Sequence, residues 1–232
     1  MAAMTTEING ISSMATRLVL EELVDAFQRH SGCSVAMESV GGVDAAKRVQ
    51  AGEAFDVVIL ASDAIDKLIA SGHLQAGSKV QLVRSGVAVA VRAGAPRPDI
   101  ATEGALREAV RAAGSIAYST GPSGIALARL FERWGIAEGI KDRIVIPPPG
   151  VPVGTLVASG EVELGFQQLS ELMHLQGITV LGPLPPAIQI ITTFCAGVCA
   201  GSRQGAAAQA LLAYLNSPEA ASVKRRHGME PT

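Results

Sequence analysis

Apolar residues along this chain recur with two periods, and the two periods take turns. Short β-like runs at 5–11, 33–40, 55–62, 115–120, 143–149 and 162–168 are separated by stretches in which apolar residues return every three to four positions. Residues 14–30 are the clearest helical stretch, with Leu18, Leu20, Leu23, Val24 and Phe27 on one face and Ser31-Gly32 as its stop. Shorter helices are expected after Gly41-Gly42, over 63–72, over 99–114 with Thr102 as the cap, after Gly121-Pro122-Ser123-Gly124, and over 150–161. The run FDVVILAS (55–62) is apolar without alternation, as in a strand covered on both faces. Two longer β-rich runs, 79–94 and 188–200, interrupt the alternation, and the chain closes with helical spacing over 205–226, broken near Asn216-Ser217-Pro218. Repeated βα units predict parallel sheets with helices on both faces, which bind ligands beyond the carboxyl ends of their strands.

Composition narrows the ligand. Of the 232 residues, 48% are hydrophobic and 17% charged, which is ample for a core. A formal net charge of −2, with no Lys/Arg cluster interleaved with aromatics, excludes nucleic acid as a partner. Aromatics make up only 3%, so there is little on which a sugar or flat ligand could stack, and a small polar or anionic ligand fits better. Cys33, Cys195 and Cys199 have no metal-ligand spacing; the last two lie in an apolar run and read as buried core. The four histidines are scattered, and no nucleophile elbow, Walker or dinucleotide motif is present, so neither metal nor cofactor is expected. No run is long enough to insert into a membrane. The first ten residues have neither a basic stretch nor an apolar core; the chain reads as cytoplasmic as written, and periplasmic if a leader has been removed.

The available chemistry lies at the turns from strand to helix, where helix starts present unpaired N–H groups to an anion. Candidate ligand residues are Ser12, Ser13, Thr16 and Arg17 at the first turn, Gly41 and Gly42 at the second, and Ser119, Thr120, Ser123 and Gly124 at the turn opened by GPSG. Gly150, Gln167 and Gln168 complete the set. Each has a plainer reading: the hydroxyls and amides serve turns and caps equally well. Arg17, Lys47 and Arg48 are expected in first helical turns, where a cation opposes the dipole and needs either an anionic ligand or solvent.

Several segments then carry a resemblance. EINGISSMATRLVLEELVDAFQRH, AGEAFDVVI, IAYSTGPSGIALARLFERWGI, LGFQQLSEL and SPEAASVKRRHGMEP, in this order along nearly the whole chain, resemble the molybdate-binding-protein family of type II periplasmic-binding-like proteins. The resemblance implies an α/β fold of two Rossmann-like lobes joined by two crossing strands, with the ligand in the cleft between them. Lobe one would be 1–83 with 191–232, and lobe two 84–190. It also implies a serine hydroxyl at each of the first two helix starts and a tyrosine after the LG strand. Those places hold Ala15, Gly42 and Gln168, which leaves room for a larger ligand such as an organic acid. FDVVIL and LGFQQLSEL resemble a divergent branch that includes an aconitate isomerase.

Two functions follow from the resemblance. One is a solute-binding protein that closes on a small carboxylate or oxyanion and feeds a membrane permease. The other is an isomerase of an unsaturated tricarboxylate, whose allylic proton shift needs a base; Lys47 or Asp44 are the candidates in the sequence. The oligomeric state is not legible.

Overall fold

The computed structural model describes residues 6–148 and 150–232. Two expected strands touch the residues outside that range: the first begins at residue 5, and the run 143–149 ends at residue 149. Half of the first ten residues, those before residue 6, also lie outside it.

The chain divides into two compact units, Met1–Arg84 with Thr193–Thr232, and Ser85–Thr192. The first unit opens with β1 (Glu7–Ser13), a 3-10 turn at Met14–Thr16 and α1 (Arg17–Ser31). It continues with β2 (Ser34–Val40), α2 (Gly42–Gln50), β3 (Val57–Ala61) and α3 (Ser62–Ala70). β4 (Val80–Arg92) then carries the chain across the unit boundary.

The second unit adds α4 (Glu103–Ala112), β5 (Ile116–Tyr118), α5 (Pro122–Arg133), α6 (Ala137–Ile140) and β6 (Ile144–Val145). It is completed by α7 (Val153–Ser159), β7 (Leu164–Gln168), α8 (Leu169–Leu172) and β8 (Ile178–Pro183). β9 (Ile191–Val198) returns to the first unit, which closes with α9 (Gly205–Leu215), α10 (Ala220–Arg226) and β10 (Glu230–Pro231).

In the first unit β1 lies between β2 and β3, parallel to both, so Ser12 pairs with Ser39 and Ser13 with Val40 at the carboxyl ends. β3 is buried along its whole length. Val57 and Ile59 pack with α1 and α9, while Val58 and Leu60 pack with α2 and α3. An uninterrupted apolar run is what a strand between two helical layers requires. α1 stops where Gly32 turns left-handed (φ 70) and its N–H caps the Gln28 carbonyl, which a residue with a Cβ adopts at a cost. Cys195 and Cys199 are buried as expected, and burial pushes the Cys199 thiol up to about 12.

In the second unit β7 lies between β5, to which it is parallel, and β4, to which it is antiparallel. One face carries α4 and α5, with Leu106, Leu127 and Phe131 on Ile116, Leu164 and Phe166. The other carries α7, with Val153 and Val157 on Ala117, and α8, with Leu172 on Ala88 and Ala90. Thr102 caps α4, its Oγ1 accepting from the Ala105 N–H at 3.1 Å.

The sheets are mixed, which corrects the expectation of parallel sheets. β9 runs antiparallel to β3, as β4 does to β7 and β8. An apolar run specifies a strand and its faces but not its direction.

Candidate functional site

In the first unit the carboxyl ends of β1 and β2 sit side by side and lead into α1 and α2. Ser12 is completely buried, and its Oγ shares a hydrogen bond with Ser39 Oγ at 2.7 Å. Thr16 is buried as well and donates to the Ser13 carbonyl at 2.9 Å. These two hydroxyls shape the turn. Ser13 is only half-buried, and its hydroxyl has no hydrogen-bond partner among the described residues. It lies beside the start of α2, because a Cβ built on Gly42 would be 3.7 Å from Ser13 Oγ. Ser13 and the first N–H groups of α2 therefore form a compact set of donors.

The cations are placed differently from the expectation. Lys47 and Arg48 are in the last turn of α2, not its first, where their charge complements the helix dipole. Arg48 bonds Glu38 and Glu53 and lies over the Phe55 ring. Arg17 does begin α1, but it is exposed and paired with Glu21 at 2.9 Å. Asp44 occupies the first turn of α2 and puts a carboxylate at the positive helix end. An anion there would meet a like charge, and Lys47 is a helix turn further on.

In the second unit Tyr118 pairs with Phe166, so Ser119 and Thr120 follow one strand beside Gln167 and Gln168 of the next. Side chains on β7 alternate. Phe166 packs against Phe131 of α5, so Gln168 shares the α5 face. The first N–H groups of α5 are unpaired by helix geometry, starting with Ser123 and Gly124; the N–H of Ile125 already bonds the Gly121 carbonyl at 3.1 Å. Ser119 Oγ and Ser123 Oγ are 3.2 Å apart. Thr120 and Gly150 are both exposed, and Gly150 (φ 79) forms a turn.

Gly124 has a packing role beside any N–H it offers. A Cβ there would lie 1.5 Å from the Ser119 carbonyl oxygen.

The two glutamines differ. Gln167 spends both amide ends internally: Oε1 accepts from the Gly154 N–H of α7 at 3.2 Å, and Nε2 donates to Glu171 Oε1 at 2.8 Å. Gln168 is 4% exposed; its Nε2 donates to Thr192 Oγ1 at 2.8 Å, and its Oε1 has no partner among the described residues. A buried acceptor without a donor costs about 1–3 kcal/mol, so one at the carboxyl end of a sheet marks a place for a ligand or water.

The sequence reading missed Ser39, Thr192 and Glu171. Burial pushes the Glu171 carboxyl up to about 7, against the smaller lowering effect of the Gln167 hydrogen bond.

A family model for bacterial extracellular solute-binding proteins matches residues 8–230. The chain belongs to that family. This solute-binding protein is 37% identical over 234 residues to the aconitate isomerase of a Pseudomonas species, covering 97% of the chain and 88% of the relative. It is 26% identical to the molybdate-binding protein ModA of Azotobacter vinelandii, over 98% of the chain and 91% of the relative. Its fold is that of periplasmic binding proteins. The structure of an A. vinelandii periplasmic molybdate-binding protein superposes with a TM-score of 0.80 at 20% identity, covering 96% of this chain and 98% of that one. The sulfate-binding protein SubI of Mycobacterium tuberculosis gives 0.78 at 15% identity, covering 98% and 87%. Among the described residues, no helix of the solute-binding protein is long and apolar enough to cross a membrane.

Proposed function

We propose that this protein binds a small organic polycarboxylate on hydrogen-bond donors at the carboxyl ends of its strands. Ser13 is such a donor in the first unit; Ser119, Ser123 and the start of α5 are the donors in the second. The observation that carries the reading is the buried, unpaired Oε1 of Gln168. A fully ionised tetrahedral oxyanion has no hydrogen to give it, whereas a hydroxyl or protonated carboxyl on an organic acid does. In the transport reading the protein would present the bound acid to a permease from the periplasm.

Titration calorimetry with trans-aconitate, citrate, molybdate and sulfate tests this. Polycarboxylates are expected to bind at least tenfold more tightly than either oxyanion. Tighter binding of molybdate, or no binding of any of the four, overturns it. Gly42→Ser is a companion test. Its Cβ meets only ordinary contacts, 3.7 Å from Ser13 Oγ and 3.9 Å from Leu60 Cδ2, so the fold should accept it. The added hydroxyl should tighten molybdate binding by about fivefold, the worth of one hydrogen bond near 1 kcal/mol.

A second reading, isomerisation of the bound acid, is favoured by the 37% identity to an aconitate isomerase across nearly the whole chain. It requires a base, and neither Lys47 in the last turn of α2 nor Asp44 at its positive end is well placed to be one.

A further inference from the structure

The second unit contains a carboxyl group that the anion site does not explain. Glu171 sits in α8, directly after β7, and Gln167 reaches it from the strand end at 2.8 Å. The other end of the Gln167 amide is fixed by the Gly154 N–H. α7 is pressed against this corner: a Cβ on Gly154 would lie 2.3 Å from Leu175 Cδ1 and 3.1 Å from Leu172 Cδ2. The carboxylate orientation is thus set by a strand end and a helix start that are themselves tightly packed.

The elements around it offer no counter-charge. α7, β7 and β8 contain no ionisable side chain, and α8 has none besides Glu171 itself. Of the two arginines of β4, Arg84 is exposed and Arg92 lies against Gly160, at the far end of α7. His174 follows α8 in the chain. A partly buried carboxyl with no cation to neutralise it costs stability, and such groups concentrate where a protein handles protons. Its titration near neutrality fits the same role.

We propose that Glu171 is the proton-transfer group of this site, with Gln167 as its positioning residue, acting on a tricarboxylate that carries a carbon–carbon double bond. This rests on the polycarboxylate-binding reading and adds chemistry to it. Ionised Glu171 takes a proton from the allylic methylene. The C–H electron pair becomes the new double bond, and the former π pair moves onto the far alkene carbon. That carbon recovers the proton from the Glu171 carboxyl. Protons and electrons balance with no oxidant or cofactor. The transient charge falls on a substrate carboxylate, which hydrogen-bond donors at the carboxyl end of the sheet would hold.

The test follows trans-aconitate by NMR in H2O and D2O, with binding measured separately by calorimetry. The wild type is expected to form the cis isomer and to exchange its methylene hydrogen, with kcat rising to a plateau through a midpoint near 7. Glu171→Gln should lose at least 100-fold in kcat and all exchange, while KM stays within about threefold. Glu171→Asp should recover part of the rate. Gln167→Met, which removes the hydrogen bond that favours the ionised form, should move the midpoint upward. Thermal melts report whether each variant is folded. Turnover by Glu171→Gln within tenfold of wild type, or binding of aconitate by the wild type with neither conversion nor exchange, overturns the inference and leaves the binding reading intact. Absence of binding overturns both.

Discussion

Gly124→Ala is expected to lower the melting temperature by roughly 6–12 °C, although it adds one methyl group to a helix. The new Cβ would lie 1.5 Å from the Ser119 carbonyl oxygen, 2.7 Å from the Ser119 carbonyl carbon and 3.2 Å from Tyr118 Cδ2. The first two are backbone atoms at a strand end, and no rotamer change relieves them. The start of α5 must withdraw from β5, and whatever α5 carries moves with it. Phe131 packs on Tyr118, Trp134 and Phe166 at centroid distances of 6.0, 5.8 and 6.0 Å, so this aromatic cluster loosens too. Forced repacking of this kind costs about 3 kcal/mol, or roughly 2–4 °C per kcal/mol in a protein of this size. The same displacement breaks the Ser119–Ser123 pair, so anion affinity should fall with stability. Gly121→Ala is the control: a Cβ there meets nothing within 4 Å, and replacing a glycine N-cap with alanine should cost under about 1 kcal/mol. Calorimetric melts of the two variants check the difference; equal shifts would mean that the close approach at Gly124 is not what holds α5.

Gly124 also shows where sequence reading stops. Its presence in a GPSG turn is legible and points to helix-start chemistry. The carbonyl that its Cβ would strike becomes visible only when β5 and α5 are placed together. The βα alternation, the doubly covered β3, the Thr102 cap and the Gly32 stop were all readable, because each is a local pattern with a local cause. The direction of β4 and β9 was not, since apolar runs do not encode it. Ser39 was passed over because its value comes from register: it faces Ser12 only through the parallel pairing of β1 and β2. Lys47 and Arg48 were assigned to the wrong end of α2 because the helix is only nine residues long, so first and last turns lie close together in sequence. Glu171 was hidden for a related reason. Four helical residues, LSEL, display no period, and a glutamate among them resembles a solvated face.

That hidden carboxyl should leave its mark on stability before any ligand is added. Its pKa is raised from an ordinary 4.5 to about 7 by burial, so between those values the folded protein holds a proton that the unfolded chain releases. Stability must then fall as pH rises through that window and level off above it. Below about 4.5 both states are protonated and the group contributes nothing; above about 7 its full cost is present, roughly 3 kcal/mol for a shift of this size. Glu22, Glu38, Glu53 and Glu103 act in the opposite sense. Hydrogen bonds from His227, Arg48 (to both Glu38 and Glu53) and Trp134, respectively, lower their pKa, so their contribution is lost only as pH falls below the ordinary carboxylate range. The two effects occupy separate windows and can be read apart. Glu171→Gln should be more stable than wild type at pH 8, by up to about 3 kcal/mol, and close to it at pH 4.5. Denaturant unfolding at the two pH values checks this, and a variant no more stable at pH 8 than wild type would show that Glu171 is solvated or paired when ionised. The cost is informative in itself. Glutamine at 171 would keep the hydrogen-bonding shape without the charge penalty, so a protein that retains a partly buried, unneutralised carboxyl beside Gln167 gives up stability for a group able to exchange a proton near neutral pH.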